Sequence, residues 1–174
     1  ISEAPESTRE DALMLCLQGE ELKTLYKKRI MKALVTLNGA LSQLWYYEDE
    51  PCEEALNAEA AAIKAVITDG NYQHFHLSLA MIWQERARMA MRNGDSDAAV
   101  RALETAMEHA KQYDTMAAEG MERYTCPILD DYCEDHRADR KDEDWSMMGA
   151  VREFSDRPVF DALRDRDDFK AIYG

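Results

Sequence analysis

Apolar residues recur at steps of three and four along most of this chain, the spacing of helices that bury one face. A first short helix is expected over residues 8–18, with Ser7 and Glu10 spaced as a capping box and Gly19 as its stop. A long helix is expected from about 20 to 47. Its apolar positions are Leu22, Leu25, Tyr26, Ile30, Leu34, Leu37, Leu41, Leu44 and Trp45, read as one face, with Gly39 inside it. Pro51 suits a first helical position, and the Ala-rich run behind it predicts a helix to about residue 68. The clearest unit is a hairpin of two antiparallel helices, 73–92 and 96–112, joined by Asn93-Gly94-Asp95.

After Asp114 the pattern decays. Residues 119–144 contain Gly120, Pro127 and the run DDYCEDHRADRKDED, which carries eight acids against three bases and reads as a solvated loop or frayed helix end. Order returns over 145–154, and two short helices follow near 158–163 and 167–173.

The hairpin carries a repeat signature. The tetratricopeptide (TPR) pattern sets a Trp-type residue early, small residues where the two helices cross, a Gly at the turn, then Ala, a large apolar residue and Ala again. Here Trp83, Ala87, Ala90, Gly94, Ala99, Leu103 and Ala106 fill those places, while Arg86 and Lys111 depart from the usual Leu and Pro. Small side chains at a crossing let helices approach to about 8–10 Å. The pair at 20–68 has repeat-like lengths and reads as a degenerate repeat, with the irregular C-terminal helices capping the stack. The expected fold is all-α: a TPR-like stack of antiparallel helical hairpins, about seven helices in all.

Composition narrows the class of function. Of 174 residues only 7 are Gly and 4 Pro, too few for a turn-rich β protein. Asp and Glu number 35 against 21 Lys and Arg, a net charge of −14 that makes the chain a poor partner for a phosphate backbone. No run of apolar residues is long enough to span a membrane. Cys16, Cys52, Cys126 and Cys133 are irregularly spaced, without C-x-x-C, which points to a reducing, cytoplasmic setting. The chain opens on Ile1 rather than Met, and its polar, acidic start reads as a linker from a longer polypeptide.

LQGEELK (17–23), ITDGNYQHFHLSLAMIW (67–83), NGDSDAAVRALETAMEHAKQYDT (93–115) and YTCPILD (124–130), with a weaker echo in DALRDRDDFKAI (161–172), form a series. That series resembles the C-terminal portion of XRE-type (Cro-like) helix-turn-helix transcriptional regulators of Gram-positive bacteria. Its most specific part is HAKQYDT followed by YTCP. The resemblance implies a TPR-like regulatory domain over 19–174, which senses a peptide or protein ligand or mediates homodimerisation. It also implies that residues 1–18 lead in from a missing N-terminal DNA-binding domain, through which alone DNA would be contacted. The alternative is a free-standing TPR adaptor for a protein partner.

Candidate chemistry is sparse. The repeat's groove-facing positions correspond to Met81, Gln84, Arg88, Met91 and Arg92, and Arg88 and Arg92, four apart, share a face. With Lys28, Arg29 and Lys32 on the long helix they make two basic stripes suited to a carboxylate or acidic peptide. The ligand-binding candidates are therefore Arg29, Lys32, Gln84, Arg88, Met91 and Arg92; the bland alternative is solvated faces paired with Glu20, Glu21 and Glu85. His74 and His76, two apart, do not share a helix face and read as cap and packing residues. Asp130, Asp131, Cys133, Glu134 and His136 are crowded but lack any ligand spacing, and Cys126 reads as a buried thiol. Phosphate loops, nucleophile elbows and H-E-x-x-H are absent from the sequence, so no catalytic residue, metal or cofactor is expected.

Overall fold

In the computed structural model, which describes residues 17–46, 52–135 and 145–172, four helices lead, a small antiparallel hairpin follows, and short helices close the chain. The expected lead-in helix at 8–18 and the stretch 136–144 lie outside the described residues, apart from Leu17 and Gln18 before the first helix. Helix α1 spans Gly19–Ser42 and α2 spans Glu53–Val66. Both carry two glutamates in the first turn, where the positive end of the helix dipole favours them. Cys52 is the N-cap of α2, whose first residue is Glu53, while Pro51, expected at a first helical position, lies outside the described residues.

Helices α3 (Phe75–Arg92) and α4 (Ser96–Glu119) make the expected antiparallel pair. Gly94 takes φ +76° in the connection, a conformation a side chain would strain. Asp95 caps α4 by accepting from the Ala98 N–H at 2.9 Å. Helix α4 runs two turns past the expected end near 112. Asp114 does not break it, because its carboxylate accepts from the Met147 N–H at 2.7 Å and the Met148 N–H at 3.0 Å. That anion thus seats the N-terminus of α5 (Met147–Ser155) on α4. Gly120, with φ +71°, ends α4 in the left-handed cap.

Strands β1 (Met121–Arg123) and β2 (Cys133–Asp135) pair antiparallel, with Glu122 opposite Glu134. This hairpin corrects the expectation of a solvated loop or frayed helix end within 119–144 and is the only sheet among the described residues. A 3₁₀ helix (Pro158–Leu163) and α6 (Asp167–Ala171) complete the fold.

The core is three clusters arranged around α3. Met31, Leu34 and Trp45 from α1 and its end meet Leu56 and Ile63 of α2, Phe75, Leu79 and Ile82 of α3, and Tyr124 and Leu129 of the hairpin. Ala87 of α3 with Ala99 and Leu103 of α4 packs against Phe160, Leu163 and Phe169. Ala80, Ala106 and Ala110 pack against Met147 and Val151 of α5. Of the repeat positions, Ala87, Ala99, Leu103 and Ala106 are fully buried, whereas Trp83 and Ala90 are half-buried. Arg86, the departure from the repeat, lays its guanidinium 4.5 Å from the Trp83 ring centre and donates to Asn57 Oδ1 at 2.8 Å.

The long first helix differs from its one-face reading. Met31 and Leu34, followed by Trp45 just beyond the helix, turn inward, while Tyr26, Ile30, Leu37 and Leu44 stay exposed. An offset of one residue rotates a position by about 100° on a helix, so α1 carries two apolar stripes, and α2 covers one.

Candidate functional site

The polar residues gather where the Ile67–His74 connection meets the end of α4 and the β hairpin. Asp69 accepts from the Asn71 N–H at 3.1 Å and from the Thr125 hydroxyl at 2.6 Å. Asn71 and Gln73 both donate side-chain amide hydrogens to the Arg123 carbonyl, at 2.8 and 3.0 Å. The connection is therefore tied to β1, and Gln73 is held in the left-handed region at φ +51°.

That tie fixes two histidines in different environments. His74 Nδ1 lies 2.8 Å from Oε2 of Glu122, whose residue exposure is 1%, and the Tyr124 hydroxyl donates to the same oxygen at 2.9 Å. Two donors on one carboxylate oxygen compensate for its burial. Burial, with Glu122 next to it, pushes the Tyr124 phenol far above its ordinary range, so it acts only as a neutral donor.

His76 faces His109 of α4, with the Nδ1 atoms 2.8 Å apart and ring centres 5.1 Å apart. An imidazole nitrogen sits about 1.1 Å from its ring centre, so those two distances make the contact nearly collinear. One ring donates Nδ1–H and the other accepts, which leaves each Nε2 pointing away from the contact. A metal ion does not fit on the line between these nitrogens, because it would stand at half of their 2.8 Å separation from each, short of the roughly 2 Å of a metal–imidazole bond. Tyr72 meets both rings edge-on, at 5.4 and 6.0 Å. Gly70, Asn71, Tyr72, Glu108 and Gln112 complete the lining of an open cleft of about 490 Å³ beside the pair.

Burial lowers both histidines to about 4; the neighbouring His109 adds to the effect on His76, and Lys64 adds to that on His109. The unfolded chain takes up these protons from near 6.5 downward, the folded chain only near 4, so this pair withdraws stability as pH falls through that window. His109 keeps part of its ring in water, which moderates the penalty. Replacing His109 with Gln should raise stability relative to the parent by about 1–2 kcal/mol near pH 4.5 and leave it nearly unchanged near pH 7.5. Thermal melts of the two chains at both pH values check this; a difference independent of pH would refute it.

A third polar group lies under α1. The Trp45 indole donates to Glu59 Oε2 at 2.6 Å, while Glu59 Oε1 is buried without a hydrogen-bond partner. Burial raises Glu59 to about 7 against the indole's opposing effect.

The expected ligand-binding residues lie elsewhere. Gln84 is buried, its amide 3.4 Å from the Ala150 carbonyl of α5. Arg88 is half-buried in an ion pair with Glu85 at 2.6 Å, and Met91 packs on the Phe160 cluster. This side of α3 is thus covered by the C-terminal helices. Arg92 is exposed at the end of α3, and Arg29 (half-buried) and Lys32 (exposed) stand on α1. Cys126 is buried, and Cys52 and Cys133 are exposed free thiols. Among the described residues no group of three or more His, Cys, Asp or Glu gathers as metal ligands. Nor is any of their helices long and apolar enough to cross a membrane.

Sequence reasoning missed His109, Glu122, Tyr124 and Glu59 as partners. The HAKQYDT segment that carries the family resemblance begins at His109, but the contact with His76 spans 33 residues and leaves no local signature. Compared with known proteins, the chain matches no family model, no curated protein and no solved structure.

Proposed function

We propose that this chain is the effector-sensing and oligomerisation domain of a cytoplasmic bacterial transcriptional regulator, a non-catalytic TPR-like stack of the kind its sequence resembles in XRE-type regulators. The observation that carries the reading is the α3–α4 crossing: Ala80, Ala87, Ala99 and Ala106 are all fully buried, and further helices pack on its flanks. A layered helical array of this build has interfaces that can adopt two packings, and a ligand that prefers one of them biases the other half of a longer protein. The ligand is a peptide or protein segment. Arg92 at the end of α3 and the Arg29 and Lys32 positions on α1 offer it cationic contacts, and the cleft beside His76 and His109 offers it neutral hydrogen-bonding nitrogens.

The test is a transcription reporter. The 174-residue chain is fused behind a DNA-binding domain that represses only when dimerised. Repression at the level given by a known dimerisation module is expected; an inert fusion that is well expressed and folded removes the reading.

A further inference from the structure

The exposed stripe of α1 is regular. Tyr26, Ile30, Ala33, Leu37, Ala40 and, just past the helix end, Leu44 follow one another at alternating steps of four and three, and all six are exposed. Tyr26, Leu37 and Leu44 are 49%, 47% and 56% exposed, high values for large apolar side chains on a regular helix. Alternating steps of three and four form the seam by which one helix packs along another. The stripe covers about 27 Å of helix axis. Within the chain, α1 packs through Met31 and Leu34, on the adjacent face.

We propose that α1 is a self-association face, on which a second copy of this chain seats its own α1 antiparallel, about a two-fold axis level with Val35. This rests on the oligomerisation part of the function proposed above and names its surface. Two features of the helix select both the occupant and the direction.

The first is size. An antiparallel pair centred at residue 35 sets Ile30 against the partner's Ala40 and Leu37 against the partner's Ala33, with Tyr26 against the partner's Leu44 at either end. The inner layers each match a large side chain with an alanine, which packs at uniform depth. A parallel pair would stack Ile30, Leu37 and Leu44 on themselves and leave Ala33 and Ala40 facing themselves across gaps. The stripe is therefore complementary to itself under a two-fold rotation, as an isologous dimer requires.

The second is charge. The first half of α1 holds Lys23, Lys27, Lys28, Arg29 and Lys32 against Glu20 and Glu21, whereas residues 33–46 hold no charged side chain. Parallel pairing would bring two cationic halves together; antiparallel pairing lays each along the partner's uncharged half.

Sedimentation velocity of the 174-residue chain at tens of micromolar tests this. A concentration-dependent dimer is expected. Leu37→Glu should convert it to monomer, with helical circular dichroism and melting temperature of the monomer unchanged, because the side chain is exposed within the chain. Leu44→Glu should weaken the dimer by at least about tenfold. Adding Tyr26→Lys to that variant should restore much of the loss, since the ammonium introduced by the second change then meets the carboxylate introduced on the partner by the first. A monomer at all concentrations, a dimer indifferent to Leu37→Glu, or a double variant weaker than Leu44→Glu alone would each overturn the proposal. In the reporter fusion, repression that survives Leu37→Glu overturns the α1 face and leaves the regulatory reading standing. An inert fusion of a chain that still dimerises through α1 sinks the regulatory reading alone.

Discussion

Leu103→Ala should lower the stability of this chain by about 3 kcal/mol, among the larger losses available to a single core truncation here. The side chain is fully buried between Ala87 and Ala99 on one side and Phe160, Leu163 and Phe169 on the other. Its neighbours are alanines at a helix crossing and aromatic rings held by separate short helices. The crossing cannot close further without backbone movement, so the void persists rather than collapses. For a domain of this size the loss corresponds to a fall in melting temperature of about 6–12 °C. Arg101→Ala, exposed on the same helix, should stay within about 0.5 kcal/mol. Equal effects at the two positions would mean that Leu103 does not join the hairpin to the C-terminal helices.

The hairpin that holds Leu103 was legible in the sequence because its determinants are local. Period, Gly94 and the Asp95 cap all lie within a few residues of one another, and the 3₁₀ segment after Arg157 starts on Pro158. What escaped was set by distant contacts. The periodic pattern decays after Asp114, and only the structure shows α5 bringing the Met147 and Met148 N–H groups to its carboxylate. The β hairpin has only three residues per strand, below the length at which alternation is readable, and its inward Glu122 breaks the expected polarity. The groove assigned to Gln84, Arg88 and Met91 came from the repeat's usual concave face. The C-terminal helices lie over that side, and nothing in a one-dimensional pattern records which face a cap covers.

The apolar positions of α1 illustrate the same limit from the other side. Periodicity marks that Leu34 and Leu37 both belong to a helix with apolar residues at the right spacing. It does not separate a stripe for the core from a second one rotated by a single residue. His74 and His76 show it again: two apart, they diverge to Glu122 and to His109, and only the tie of the preceding connection to β1 decides which ring goes where.

Glu59 carries the second large effect, and its sign depends on pH. Its residue exposure is zero, its Oε1 has no hydrogen-bond partner, and the Trp45 indole N–H donates to its other oxygen. Burial therefore raises it from 4.5 to about 7. In the unfolded chain the carboxyl ionises near its ordinary value, so between these two values the folded state holds a proton the unfolded state has released. Stability from this group is complete below about pH 4.5 and is lost as pH rises through 7. The fully ionised carboxylate costs the fold about 3 kcal/mol relative to the protonated form. Glu59→Gln keeps an acceptor for Trp45 and removes the charge, while its own amide N–H₂ takes the unpartnered place. The variant should thus be more stable than the parent by about 2 kcal/mol near pH 8, and equal to it near pH 4.5. This slope runs against that of the His76–His109 pair, which favours higher pH across nearly the same interval, so the two partly offset in the parent's own pH profile. Denaturant unfolding of parent and variant at matched pH separates them. A Glu59→Gln advantage that did not grow between pH 5 and pH 8, on the order of a tenfold change in the folding constant per 1.4 kcal/mol, would show that Glu59 is already solvated or paired in the folded chain.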